Sequence, residues 1–156
     1  MATEIERKFL VIGEVPGGRS SEMVQGYLSQ DPERTIRVRI DDERAFLTIK
    51  GKAVGITRVE FEYEVPVADA REMLALATGF PIRKTRTRVQ EGDHLWEVDV
   101  FHDLNEGLVI AEVELESEDE ELVLPTWVGE EVTADVRYLN ACLSRKPFRE
   151  WSDEPV

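Results

Sequence analysis

Along most of this chain apolar and polar residues alternate with a period of two, and the polar positions are almost all ionic. Successive side chains of an extended strand point to opposite faces, so this period commits the chain to sheet. The alternation predicts strands at 3–11, 22–30, 34–41, 44–52, 57–66, 82–90, 94–102 and 108–117. Between them lie turn formers: Asp31-Pro32, Asp41-Asp42, Gly51 to Gly55, Glu91-Gly92-Asp93 and Asn105-Glu106-Gly107. Connections this short join antiparallel neighbours.

The charged face has an unusual content. The first strand presents Glu4, Glu6 and Lys8 against Ile5 and Phe9, and the third presents Arg37 and Arg39 against Ile36, Val38 and Ile40. Lys50 and Lys52 oppose Leu47 and Ile49, while Arg58, Glu60, Glu62 and Glu64 oppose Val59, Phe61, Tyr63 and Val65. Lys84, Arg86 and Arg88 share a face whose reverse is only weakly apolar. Glu97 and Asp99 oppose Trp96, Val98 and Val100, and Glu112, Glu114 and Glu116 oppose Ala111, Val113 and Leu115. Two arrangements accommodate this pattern. One is an open sheet with helices on its apolar face and a water-washed ionic face. The other is an eight-stranded barrel with the charges inside and helices outside. Like charges repeated along one strand repel unless a group of opposite sign intervenes, which favours the second. A charged interior then needs mutual pairing, metal or a charged ligand to neutralise it.

Helical spacing is confined to two segments. Residues 67–77 follow Pro66 and end before Gly79; residues 135–144 place Val136, Leu139, Ala141 and Leu143 on one stripe. Glu118 to Glu121 reads as a short helical turn, and 149–156 as a loosely held tail in which Trp151 is the docking side chain. The expected fold is therefore α+β, mainly β, with one domain over 1–148.

Composition narrows the chemistry. The 156 residues hold 33 Asp and Glu against 19 Lys and Arg, a formal net charge of −14. Such a field repels nucleic acid and anionic membranes as whole surfaces, although a local site can carry the opposite sign. No apolar run approaches the ~20 residues that span a bilayer. The opening residues are charged where a signal peptide is apolar, so a cytoplasmic location is expected. Cys142 is the only cysteine, which excludes an intrachain disulfide and a thiolate zinc site. His94 and His102 have no partner motif and read as ordinary surface or hairpin residues. With no nucleophile elbow, phosphate-binding glycine loop or dinucleotide fingerprint, any catalysis falls to carboxylates and cations.

Several short motifs recur in a recognisable order: Glu4-Ile5-Glu6-Arg7-Lys8, Arg37-x-Arg39, Thr48-Ile49-Lys50-Gly51 and Thr57 to Glu62. Lys84-Thr85-Arg86, Trp96 to Phe101, Glu112 to Glu116, Glu131-Val132-Thr133 and Arg137-Tyr138-x-Asn140 follow. Over about residues 2–146 the chain resembles the CYTH superfamily of triphosphate tunnel metalloenzymes, most of all its short bacterial members, many of which are inorganic triphosphatases. The resemblance implies a closed eight-stranded antiparallel tunnel whose lumen holds a linear triphosphate with Mg²⁺ or Mn²⁺.

On that basis Lys8, Arg37, Arg39, Lys50, Lys84 and Arg86 are expected to grip phosphate, with Glu62 set beside them and Lys52, Arg58 and Arg88 in reserve. Arginine offers a bidentate fork and lysine a compact point charge for this purpose. By resemblance Glu4, Glu6, Glu112 and Glu114 are the metal ligands. The expected catalytic set is Glu4, Glu6, Lys8, Asp99, Glu114 and Glu116, with Glu116, Asp99 and Glu62 positioning a second metal, water or lysines. Glu60, Glu64 and Glu97 are read as counter-charges, and Tyr27 and Tyr138 as closing or packing residues. Together the inward charges number nine cations and ten carboxylates, a near-neutral lumen expected to attract triphosphate only once metal is bound. The expected reaction is hydrolysis of tripolyphosphate to pyrophosphate and phosphate by a monomer or homodimer. Action on an organic triphosphate, including cyclisation of ATP, and non-catalytic polyphosphate binding are the alternatives.

Overall fold

The computed structural model describes residues 3–153 and forms nine strands and two short α-helices over that range. In chain order these are β1 (Thr3–Val11), β2 (Arg19–Asp31), β3 (Arg34–Asp41), β4 (Arg44–Gly51), β5 (Thr57–Val65), α1 (Val67–Ala75) and β6 (Thr78–Glu91). They continue with β7 (His94–Phe101), β8 (Val109–Glu114), β9 (Val128–Glu131) and α2 (Asn140–Leu143). The strands pair antiparallel in the order β5-β4-β3-β2-β6-β7-β8-β1, and β5 returns to β1 to close an eight-stranded barrel. Closure is short: Thr3, Glu4 and Ile5 face Val59, Arg58 and Thr57. Farther along the same edge of β1, the extra strand β9 pairs with Phe9 and Val11.

Because side chains alternate across each strand, closure turns the ionic face inward. Register then decides which charges meet: Lys8 and Glu97 both lie opposite Glu112, Arg86 lies opposite Asp99, and Thr48 lies between Arg37 and Glu62. The apolar faces pack outside in separate patches. Phe9, Trp96, Val98, Ala111 and Val113 are covered by Leu115, Trp127 and Val128. Helix α1 lays Ala70, Met73 and Leu74 over Val38, Ala45 and Leu47. It also approaches β2 so closely at Gly26 that an added Cβ would stand 2.8 Å from Ala77 Cβ, and only glycine fits there.

The second predicted helix is broken, and the break is informative. Asp135 accepts a hydrogen bond from the Arg137 backbone N–H, which starts a single 3₁₀ turn over Val136–Tyr138. Leu139 is extended (φ −67°, ψ 134°), and α2 then runs for four residues. Rather than packing outside as expected, α2 directs Asn140 toward the lumen, where it meets Gln25 and Lys84. Beyond it Leu143, Tyr138, Phe148 and Trp151 pack on inward-facing Ile82, Phe101 and Ile110. Trp151 therefore docks, edge-on to Tyr138 and Phe148 at 5.0 Å each, while residues 154–156 lie outside the described range. Strand β9 has no counterpart among the expected strands, because its four residues, Val-Gly-Glu-Glu, do not alternate; the Arg7–Glu131 ion pair at 2.7 Å ties it to β1. Strand β8 stops at Glu114, and 118–119 form a turn rather than a helix. No helix among the described residues is long and apolar enough to cross a membrane.

Trp96 is fully buried in the outer core, edge-on to Phe9 and Trp127 at 5.5 and 5.7 Å. Trp96→Ala is expected to lower unfolding stability by about 3–5 kcal/mol, read from urea denaturation. A negligible shift of the midpoint would contradict this packing.

Candidate active site

Within the barrel lies a cavity of about 410 Å³. Among the described residues its lining holds the cations Lys8, Arg37, Arg39, Lys50, Lys52, Arg58, Lys84, Arg86 and Arg145, but only three carboxylates, Glu4, Glu6 and Glu112. The lumen is thus not near-neutral where a ligand would sit. Inward parity alone overstated the acidic share, because Glu62, Glu64, Glu114 and Glu116 are exposed and do not line the cavity. An anion meets positive charge here before any metal is considered.

Ionic clusters hold most of the cations in place. Fully buried Asp99 accepts two bonds from Arg86, at 2.7 and 2.9 Å, and contacts Lys84 Nζ at 2.8 Å. Arg86 also reaches Glu97 at 3.1 Å and Glu112 at 3.7 Å. Lys8 stands between Glu112 at 3.4 Å and Glu6 at 3.8 Å. Lys50 contacts Glu4 at 3.0 Å and Glu60 at 4.0 Å. Arg37 donates to Thr48 Oγ1, which donates in turn to Glu62, and the Arg37 Nε is buried with no partner. Arg39 donates from Nε to the side-chain oxygen of Gln25 at 2.8 Å.

Burial and neighbours set the protonation states. Burial opposes charge on Asp99 and Glu112, but Arg86 and Lys84 hold Asp99 below its usual value, and Lys8 and Arg86 hold Glu112 well below. Burial pushes the Lys84 ammonium down to about 7 despite its contact with Asp99. It also brings Arg39 down to about 9, with Arg37 and Arg86 adding to the effect. Glu6 moves the other way: burial, then repulsion from Glu112 and Glu4, drives it up to about 8. Glu4 is raised by burial and its contact with Glu60, and Glu114 by burial and the nearby Glu4 and Glu97.

The candidate residues sort by these positions. Glu4, Glu6, Lys8, Arg37, Arg39, Lys50, Lys84, Arg86 and Glu112 converge on the cavity, and so do Lys52, Arg58 and Tyr27. Asp99 lies behind Lys84 and Arg86, where it orients both without reaching the cavity. Glu62 holds Thr48 rather than facing a ligand, and Glu114 sits opposite Glu6 at the exposed end of β8. Glu116 is not brought to the site: β8 ends before it, and its backbone N–H bonds Glu120. Arg88 pairs with Asp41 at 3.3 Å, and Tyr138 packs on Trp151, so neither lines the cavity. Asn140 and Arg145 do line it. Of these, Asn140 carried a signal as the polar residue interrupting the apolar stripe of 135–144.

The donor set suits a hard divalent cation. Glu6 and Glu112 flank one lysine, the Glu6 carboxylate accepts no hydrogen bond among the described residues, and its raised value reflects burial first and then crowding by Glu112 and Glu4, which a cation would relieve. Among the described residues no three acidic or imidazole groups converge tightly enough to enclose an ion. Mg²⁺ and Mn²⁺ accept such a site, because they take one or two carboxylates and complete their shell with phosphate oxygens and water.

Comparison with known proteins agrees with this geometry. The CYTH domain profile matches residues 2–142. The chain is similar to the inorganic triphosphatase of Acetivibrio thermocellus, at 42% identity over 98% of this chain and 100% of that protein. It is also similar to that of Nitrosomonas europaea, at 36% identity over 91% of this chain and 97% of that protein. The crystal structure of inorganic triphosphatase NE1496 superposes with a TM-score of 0.67 at 35% identity, covering 92% of this chain and 95% of that one.

Without metal, Glu6 stays protonated in the folded protein from its ordinary 4.5 up to about 8, while the unfolded chain releases that proton. The folded state then binds more protons, so this contribution to stability shrinks as pH rises through that window. With chelator present, the thermal midpoint is expected to fall between about pH 5 and 7, and Glu6→Gln is expected to flatten the slope. Added Mg²⁺ or Mn²⁺ is expected to raise the midpoint at the upper pH in the parent protein and less in the variant. A flat profile in the parent would remove the crowding argument.

Proposed function

The chain belongs to the CYTH domain family, and from that premise we propose that it hydrolyses inorganic triphosphate to pyrophosphate and phosphate inside the barrel, with Mg²⁺ or Mn²⁺. The observation that carries this reading is the cavity lining, with its large excess of cations over carboxylates. Triphosphate resists hydrolysis because its charge repels nucleophiles, so catalysis is mainly positioning and charge stabilisation. Arg37, Arg39 and Arg86 offer planar forks to phosphate oxygens; Lys8, Lys50 and Lys84 offer point charges. Asp99 holds Lys84 and Arg86 at fixed angles, so little reorganisation is needed when the anion arrives. Lys84, brought down to about 7 by burial, is only partly protonated near pH 7 in the free protein and takes up a proton as the anion restores a reason for charge. Glu4, Glu6 and Glu112, with Glu114 at the strand end, would hold the metal, whose chemistry when bound is charge neutralisation on phosphoryl oxygen and a lowered pKa of coordinated water.

An inorganic substrate fits the mouth better than a nucleotide. Tyr27 is the one aromatic side chain among the described lining residues, and the uncharged lining includes Pro32, Ala53, Ile56, Val136 and Leu139. Among the described residues the lining gives no ring beyond Tyr27 for a base to stack on, and its uncharged polar groups are Gln30, Thr35, Thr48, Thr133 and Asn140. We place the enzyme in the cytoplasm as a monomer or homodimer that binds neither nucleic acid nor membrane, consistent with its net charge of −14.

Phosphate release is expected from tripolyphosphate with Mg²⁺ or Mn²⁺, to cease with chelator, and to be much slower from ATP or thiamine triphosphate, with no cyclic AMP formed. Glu6→Ala and Arg86→Ala are each expected to lower kcat/KM by about 10²–10³. Faster turnover of ATP than of tripolyphosphate would overturn the substrate assignment, and unchanged activity in Glu6→Ala would overturn the metal site.

A further inference from the structure

Lys8, Arg37, Lys50, Lys84 and Arg86 each stand within 4.0 Å of a carboxylate. Arg39, in the midst of them, has no such partner among the described residues; its Nε donates to the Gln25 side-chain oxygen at 2.8 Å. Gln25 is fully buried, and its amide nitrogen donates to Asn140 Oδ1 at 3.0 Å. The same oxygen accepts from Lys84 Nζ at 3.0 Å. Two neutral amides, one from β2 and one from α2, thus join Arg39 to Lys84.

We propose that Gln25 and Asn140 are positioning residues of the phosphate grip, which hold Arg39 and Lys84 by dipoles and so leave the charge of Arg39 uncompensated for the anion. The inference rests on the triphosphate reading above. Its physical basis is the difference between orienting a cation and neutralising it. A carboxylate at position 25 would bond Arg39 more strongly, since a charge-assisted bond is about twice as strong as a neutral one. It would also cancel the field that an incoming phosphate feels. Where Lys8, Arg37, Lys50, Lys84 and Arg86 each meet a carboxylate, an amide beside Arg39 keeps the geometry and spares the charge. The break of the 135–144 segment at Leu139 sets Asn140 among the lining residues, beside Val136, Leu139 and Ala141.

The test separates affinity from stability. Gln25→Glu is expected to leave the thermal midpoint equal or higher, while the KM for tripolyphosphate and its calorimetric Kd rise by at least about tenfold, equivalent to 1.4 kcal/mol. Gln25→Met, which lacks the acceptor, is expected to lose affinity and midpoint together. Asn140→Asp, which sets a carboxylate on Lys84, is expected to weaken affinity as Gln25→Glu does, and decides the matter if Gln25→Glu does not fold. Wild-type affinity in folded Gln25→Glu and Asn140→Asp would overturn the proposal, and so would failure of both to fold, since the amides would then serve folding alone. A wild-type protein that binds tripolyphosphate without releasing phosphate would refute the hydrolysis reading and leave the affinity comparison to judge the amides. No binding by the wild type would refute both.

Discussion

Asp99 is the charge on which the interior depends. It is wholly buried and holds two cations, Lys84 and Arg86, that face the cavity. Taking an ion pair out of water costs several kcal/mol per ion, and an apolar replacement of similar volume is often no less stable. Stability therefore does not explain Asp99. Its effect is geometric: both oxygens of the carboxylate are committed to Arg86 at 2.7 and 2.9 Å, which fixes the guanidinium plane before any ligand arrives. A site built this way meets an anion already organised, where a solvated cluster of the same side chains would have to order first.

The barrel makes that arrangement possible by placing charges from distant parts of the chain in register. Glu112 on β8 meets Lys8 on β1 and Arg86 on β6, strands that no local contact would bring together. Among the described residues closure joins three residue pairs between β1 and β5, and Lys50–Glu4 adds a contact between β4 and β1 close to that seam. The same residues thus complete the sheet and belong to the site.

Alternation made the strands and the residues that share a face legible in the sequence, while the inward turn of the ionic face rested on like charges repeated along single strands and on the family resemblance. Lys8, Arg37, Arg39, Lys50, Lys84 and Arg86 all reach the cavity as parity requires. Parity says nothing about depth along the barrel, however. It placed Glu62, Glu114 and Glu116 with Glu6 and Glu112, whereas the first three lie at exposed positions, Glu116 past the last pair of β8. The broken helix was illegible for a related reason. A 3.6-residue stripe of Val136, Leu139, Ala141 and Leu143 favours a continuous helix, but Asp135 caps a 3₁₀ turn and Asn140 finds buried partners that a continuous helix need not supply. Strand β9 left no mark because its order comes from Arg7–Glu131 pairing and not from its own four residues.

The acidic whole and the cationic cavity are compatible because electrostatic reach is short. At physiological ionic strength exposed charges are largely screened beyond about 8 Å, whereas buried pairs are screened much less. A triphosphate approaching from solvent responds first to the general negative field, which slows its arrival without barring it. Once at the opening it meets Lys52, Arg58 and Arg145, which line the cavity with no carboxylate bound to them by an ion pair among the described contacts. Inside, the low dielectric strengthens every contact with the cations fixed by Asp99, Glu112 and Glu4. A double-stranded nucleic acid, too wide to enter, feels only the acidic exterior. The net −14 thus describes the exterior and not the cavity, and the response to a small anion follows from where charge is buried rather than from its sum.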